Sequence, residues 1–268
     1  MELKIFNVEH GACALLVCDN GNCLMIDSGH NATSGWMPGN YLRSIGLTTL
    51  NMLFITNYDE DHVSGFRNLD SLINIDWMVR NTTVSANNLY QLKSETGMGV
   101  NIQHLANRVN DFLPSNNARP VFPRVEWQVF NNYYPDFADE NNLSMVVSLT
   151  IDGLKFLFPG DIERTGWLSL LQKEDALCRE VANTNVLIAS HHGRQNGVCT
   201  EIFDQLGCNP DVIVISDDYH QYDTQQTVQY YATKAKGISF RGRDRWVLTT
   251  RNDGNISFYF DGQRCNVF

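Results

Sequence analysis

Residues 51–65 run an apolar stretch, Asn51-Met52-Leu53-Phe54-Ile55-Thr56, straight into Asp59, Asp61 and His62, with Gly65 just beyond. Two carboxylates and an imidazole crowded together destabilise one another once water is removed, unless a cation supplies the compensating charge. Carboxylate oxygen and imidazole nitrogen are also the donors that borderline divalent cations take. A solvated acidic turn is the alternative reading of the same residues. Two later segments repeat the arrangement. Phe156-Leu157-Phe158-Pro159-Gly160-Asp161 ends an apolar run in a carboxylate, and Val186-Leu187-Ile188-Ala189-Ser190-His191-His192-Gly193 ends one in two histidines. Alone, a strand-end Asp is usually a turn former and a His pair usually packs or faces water. Together, three strands each deliver ligand-type residues at the same end, where open sheets gather their ligands.

The elements that must position these residues are short. Strands are predicted over 3–8, 14–18 and 23–26, the last two joined by Asp19-Asn20-Gly21-Asn22, a strong hairpin signal. A helix over 39–45 leads to the strand 51–56, followed by a helix or loop over 63–72 and a strand near 75–79. Residues 81–140 are Asn-rich, with one amphipathic helix at about 89–113 and prolines at Pro114, Pro120, Pro123 and Pro135, and read as an insertion over the site. Within it, Trp127, Tyr133 and Tyr134 either stack on a base or ring or anchor the insertion to the core. Strands return over 145–151, 154–158, 186–189, 212–216 and 246–250. No repeat or linker divides the chain, so residues 1–268 are expected to form one domain.

Composition narrows the function classes. With 43% hydrophobic and 19% charged residues the chain reads as an ordinary globular protein. A formal net charge of −10 argues against a broad basic face for duplex nucleic acid, yet leaves phosphate substrates open, because bound cations supply local positive charge. Arg241, Arg243 and Arg245 form a basic island that reads as a solvated loop. Seven cysteines with no C-x-x-C pair suit buried thiols in a reducing compartment. No apolar run approaches the roughly 18 residues of a membrane span, and the N-terminus lacks a signal-peptide pattern, so a cytoplasmic location is expected.

In order along the chain, Asn7-Val8-Glu9-His10-Gly11-Ala12, Asp27-Ser28-Gly29, Thr56-Asn57-Tyr58-Asp59-Glu60-Asp61-His62-Val63-Ser64-Gly65, Asn141-Asn142-Leu143-Ser144-Met145-Val146-Val147, Phe158-Pro159-Gly160-Asp161 and His191-His192-Gly193 resemble the motifs of metallo-β-lactamase fold hydrolases. Within that family they look most like the soluble domain of ComEC-type competence proteins, whose motifs run D-V-G-Q-G-D, D-T-G, S-H-x-D-x-D-H-x-G-G, N-N-x-S-L-V-L, L-x-G-D and H-H-G-S. The resemblance implies an α/β chain folded as a four-layer αββα sandwich, with a metal site at one edge of the two sheets. It implies that Asp61, His192 and a bridging Asp161 hold an ion, with His62 and Asp59 completing the set, and that one or two ions of Zn²⁺, Mn²⁺ or Mg²⁺ bind. Asp61 would orient the attacking water and His191 would donate a hydrogen bond to substrate, both as catalytic residues. Asp27, Asn57, Ser144 and His220 fall at substrate-facing or supporting positions.

The departures bear on chemistry. Asn57 stands where the family has the first His of its metal motif, and an amide offers neither charge nor an imidazole nitrogen. Ala12 replaces the Asp of the opening turn. Late in the chain Tyr219-His220-Gln221-Tyr222-Asp223-Thr224 stands for N-x-Y-x-H-P, while Thr250-Arg251-Asn252-Asp253-Gly254 keeps the T-D-x-x-G ending. Three functions follow as expectations: a metal-dependent hydrolase of phosphodiesters, with nucleic acid among the candidate substrates; a hydrolase of another ester or amide; or a binding or scaffold protein with a decayed site and a protein partner.

Overall fold

The computed structural model describes residues 1–94, 97–111, 119–219, 225–262 and 264–268. Two sheets face one another. The first orders its strands Cys265–Val267, Ile256–Phe260, Glu2–Ile5, Ala14–Val17, Cys23–Ile26, Met52–Phe54 and Met78–Val79. Pairing is antiparallel as far as Cys23–Ile26 and parallel beyond it. The second orders Val247–Thr249, Val212–Ile215, Val186–Ile188, Leu154–Phe158, Met145–Ile151 and Val125–Asn131. Its first four strands are parallel and the last two add on antiparallel.

Side-chain alternation fixes the layers. Leu24 and Ile26 enter a core between the sheets, together with Phe156 and Phe158. Their neighbours Cys23 and Met25 face a second core under the helices Pro38–Ser44, Phe66–Leu72, Ala86–Leu92 and Val100–Asp111. Leu157 and Leu187 face a third, under Arg164–Lys173 and Asp175–Ala182. Strands buried on both faces carry continuous apolar runs, which is why their sequences show no polar alternation. The result is the four-layer αββα arrangement.

Most strand expectations and the hairpin match, with Ala14 opposite Ile26 and Val17 opposite Cys23 across the Asp19–Asn22 turn. Four expectations change. The strand expected near 75–79 is two short strands, Asn74–Ile75 and Met78–Val79, in different sheets. The helix expected at about 89–113 is two helices, Ala86–Leu92 and Val100–Asp111, and part of the expected span lies outside the described residues. The segment 81–140 is not all insertion, because Val125–Asn131 is an edge strand of the second sheet in register with Met145–Ile151. Trp127 on that strand meets Phe54 edge-on at 5.3 Å, which makes it a core anchor. The basic island is tied down too: Arg245 makes two 2.9 Å bonds to Asp253, and Arg241 lies over the Phe240 ring. All seven thiols are free. No helix among the described residues is long and apolar enough to cross a membrane.

Candidate metal centre

The parallel strands Cys23–Ile26, Met52–Phe54, Leu154–Phe158, Val186–Ile188 and Val212–Ile215 release their chains at one edge of the sandwich. Asp27, the 56–62 turn, Asp161, His191-His192 and Ser216 leave those strand ends in turn, as open sheets lead one to expect. The backbone there is strained. Asp27, His191 and His192 have φ of 57°, 51° and 53°, a left-handed conformation that costs non-glycine residues on the order of 1–3 kcal/mol each. Close approach also dictates two glycines: a Cβ on Gly11 or Gly29 would come within 2.6 or 2.9 Å of the Asp61 carbonyl oxygen.

Four side chains converge. Asp61, His62, Asp161 and His192 each offer one ligand atom, all within 4.8 Å of one another. His62 Nδ1 lies 2.8 Å from Asp27 Oδ2, and His192 Nδ1 lies 2.9 Å from the Ser216 carbonyl oxygen, which accepts its proton. These partners turn both Nε2 atoms toward the carboxylates, as partners behind metal-bound imidazoles do. His62 Nε2 is 3.0 Å from Asp161 Oδ1, and His192 Nε2 is 3.1 Å from Asp61 Oδ2 and 3.5 Å from Asp161 Oδ2. Yet among the described residues neither buried Nε2 atom has a hydrogen-bond partner in acceptable geometry. Two orphaned imidazole nitrogens facing two carboxylates fit a divalent cation held between them.

Electrostatics agree. Burial opposes charge on His192, but Asp161 and Asp61 outweigh it and lift its pKa to about 10. His62 is likewise raised, against burial, by Asp161 and Asp27. Asp61 is drawn down to about 2 by His192 and His62 although burial pushes the other way, and Asp161 falls well below the usual carboxylate range for the same reasons. Without a cation, protons on the imidazoles do the charge balancing.

The other expected site residues go elsewhere. Asp59 pairs with the ammonium of Lys93, which also lies 2.9 Å from Glu140. Asn57 is fully buried; its amide donates to Ser144 Oγ at 3.0 Å and its oxygen accepts from the Asp59 backbone at 2.6 Å. Ser144 Oγ in turn accepts from the Asp161 backbone at 3.1 Å, so it positions the Asp161 loop. Asp27 supports the centre from behind, taking bonds from Thr56 as well as facing His62. His191 lies farther out, its Nε2 3.9 Å from Asp161 and its Nδ1 3.7 Å from Glu163. Burial lowers its pKa, which keeps the ring neutral. His220 lies outside the described residues.

His10 is a neighbour of the four converging groups that the sequence did not single out. Its ring packs 4.4 Å from that of His192, its Nδ1 is 3.1 Å from Asp217, and its Nε2 is 3.8 Å from Asp61. A lone histidine after a short strand gives no spacing signal, and Asp217 is 207 residues away in sequence. His10, Asp61, His30, Arg194 and Asp217 line an open cleft of about 410 Å³ beside the four converging groups. Ala12 instead lines a cavity of about 40 Å³ behind them, so the opening turn brings no carboxylate to the centre.

Comparison with solved structures adds the fold. Zn²⁺-bound PqqB from Methylobacterium extorquens superposes with a TM-score of 0.52 at 10% identity, covering 97% of this chain and 100% of that one. A Thermotoga maritima protein assigned as a Zn-dependent hydrolase of the metallo-β-lactamase superfamily is also similar, at TM-score 0.45 and 11% identity over 92% of this chain and 97% of that one. This chain has the metallo-β-lactamase fold. A CmlA β-hydroxylase variant is also similar, over 96% of this chain and 54% of its own, at TM-score 0.52 and 10% identity. Nothing in these matches singles out the ComEC-type branch. No protein-family profile matches the chain, and no curated protein matches it in sequence.

Proposed function

We propose that this protein is a metal-dependent hydrolase acting on phosphodiesters, with one divalent ion held by Asp61, His62, Asp161 and His192. The observation that carries the reading is the pair of buried, partnerless Nε2 atoms of His62 and His192 facing Asp61 and Asp161. Two imidazole nitrogens and two carboxylates make a donor set suited to Zn²⁺ or Mn²⁺, and Mg²⁺, which prefers oxygen, ranks behind them. Such an ion acidifies water and polarises a phosphoryl or acyl oxygen.

The chain's own groups divide the remaining work. Asp61 is the ligand that also lines the open cleft, so its carboxylate orients the attacking water. Asp161, buried between both imidazoles, holds their geometry. His191, neutral because of burial, donates a hydrogen bond to substrate. The open cleft, with Arg194 and two histidines among its lining residues, leaves room for an extended, charged substrate, with nucleic-acid strands among the candidates. The second reading, a binding or scaffold protein, draws on Asn57 and Asp59, both turned away from the centre.

Elemental analysis of protein purified without chelator, with hydrolysis of bis(p-nitrophenyl) phosphate and p-nitrophenyl acetate before and after chelation, tests the proposal. The expected result is about one ion per chain and phosphodiester turnover that chelation abolishes and Mn²⁺ or Zn²⁺ restores. Metal-free protein that cannot be loaded would sink it in favour of the scaffold reading. Metal-dependent turnover of the neutral ester alone would replace the phosphodiester with another ester.

A further inference from the structure

Arg194 follows the left-handed His191-His192-Gly193 segment, at the position where the H-H-G-S motif has serine. Among the described residues no carboxylate lies within ion-pair distance of its guanidinium. Its Nη2 donates to His10 Nε2 at 2.8 Å, and its Nε is buried with no partner. A guanidinium carries five donors and a fixed charge, and desolvating it without an anion is unfavourable unless a ligand completes the site.

The cleft contains several acids, but most are already engaged. Glu9 accepts from the Ala32 and Thr33 backbone, and Glu60 accepts from the Asn101 side chain and the Ile102 backbone. Asp217 is bound by Arg251 and Gln225 at 2.9 Å each as well as by His10. Asp61 belongs to the converging four, and Asp218 is the remaining carboxylate on that wall. Among the described residues, Arg194 is therefore a cation of the cleft with no carboxylate paired to it. His10 fixes it there: with Nδ1–H toward Asp217, its Nε2 accepts the hydrogen bond from Arg194, and its ring rests on His192.

We propose that Arg194, positioned by His10, binds a non-bridging oxygen of the substrate's phosphoryl group, and so makes the centre selective for anionic phosphodiesters over neutral esters. This rests on the hydrolase reading. Arg194 touches substrate and His10 acts through it. A planar guanidinium meets phosphate oxygens with two parallel bonds, which an ammonium cannot reproduce.

The test is Arg194→Met beside Arg194→Lys and wild type, all loaded with Mn²⁺. Calorimetry with inorganic phosphate measures anion binding without any need for turnover, and kinetics with bis(p-nitrophenyl) phosphate and p-nitrophenyl acetate measure selectivity. Arg194→Met should weaken phosphate binding and raise the phosphodiester KM by about 10- to 100-fold, the loss of one charged hydrogen-bonded contact. Arg194→Lys should recover part of the affinity, and neutral-ester kinetics should not move. Equal phosphate affinity in all three proteins overturns the proposal, as does an equal loss on both substrates. Wild type that binds phosphate through Arg194 yet turns over neither substrate would leave this site standing and remove the hydrolase reading instead.

Discussion

Asp59 and Asp61 sit two positions apart on one turn, with the same side chain and neighbouring charges, and meet opposite surroundings. Asp61 faces His192 and brings a carboxylate oxygen within 4.8 Å of ligand atoms of Asp161 and His62. Asp59 faces a lysine: Lys93 reaches in from the end of the Ala86–Leu92 helix, is itself buried, and joins Asp59 to Glu140. Between them Glu60 takes a third course and accepts the Asn101 side chain and the Ile102 backbone at the start of the Val100–Asp111 helix. Burial raises the Asp59 pKa against the pull of Lys93, whereas the imidazoles take Asp61 down to about 2. One acidic turn thus supplies a candidate metal ligand, a helix anchor and the counter-ion of a fixed ammonium. A pair of carboxylates already sharing an ammonium offers a second ion less charge and no imidazole, so the two sides of the turn should answer differently to metal and to mutation.

The largest separation is expected at Asp161. Asp161→Asn keeps the size of the side chain and removes the charge lying between both imidazoles, so metal should be lost and any phosphodiester hydrolysis should fall by at least about a hundredfold. The metal-free melting temperature should fall as well, because Asp161 is what raises His62 and His192 against the cost of burial. Activity at fixed Mn²⁺ and melting curves after chelation measure both. Retained activity would remove this cluster as the reactive centre.

The proposed ligand set was legible in part. Apolar runs ending in Asp161 and in His191-His192, with the 51–65 turn, point to one edge because strand ends are marked by abrupt polarity. Asp59 was misplaced because its partner is a lysine 34 residues away, on a stretch that reads as plain amphipathic helix. Asn57 drew notice as an amide where an imidazole was expected, but the contact it makes, joining Ser144 to the turn, spans 87 residues. His10 and Arg194 stayed hidden for the same reason. Fold was easier: buried strands announce themselves locally, while Val125–Asn131 hid among Asn and Pro until its pairing with Met145–Ile151 was seen.

Next in size is the coupling between metal and protons. The His192 pKa is raised from 6.5 to about 10, so its contribution to metal-free stability is full below pH 6.5 and is lost as pH climbs toward 10. Asp61, lowered from 3.8 to about 2, is the other partner of the same interaction; its contribution is present above pH 3.8 and lost as pH falls toward 2. Metal ligation needs the imidazole without its proton, so affinity should rise over the window in which the metal-free protein weakens. A ligand at a hundred times its Kd adds about 2.7 kcal/mol to stability. The gap in melting temperature between Mn²⁺-loaded and chelated protein should therefore widen from about pH 6.5 to 8.5. A gap that narrows over that range would contradict the assigned balance of protons and metal.

On the lysine side, Lys93→Met should reduce stability by about 2–3 kcal/mol, since it leaves Asp59 and Glu140 without their cation while both can still reach some water. Metal bound per chain should stay at about one if the Asp61 side is independent, and a loss of metal in this variant would show that the two sides are one network.

The smallest effect, and the sharpest test of the comparison, is expected from Asp59→Asn. The Asp59 side chain is 36% exposed and Lys93 keeps Glu140 at 2.9 Å, so exchanging this carboxylate for an amide should cost no more than about 1 kcal/mol. The substitution also relieves the repulsion that Asp61 exerts on Asp59. Affinity for Mn²⁺ should stay within about threefold of wild type, while the matching change at Asp61, two residues on, should abolish tight binding. Titration of both variants with Mn²⁺, followed by melting temperature and by elemental analysis after dialysis, sets them side by side. Comparable losses of metal from the two would show that Asp59 is a ligand after all and that Lys93 yields its place when the ion arrives.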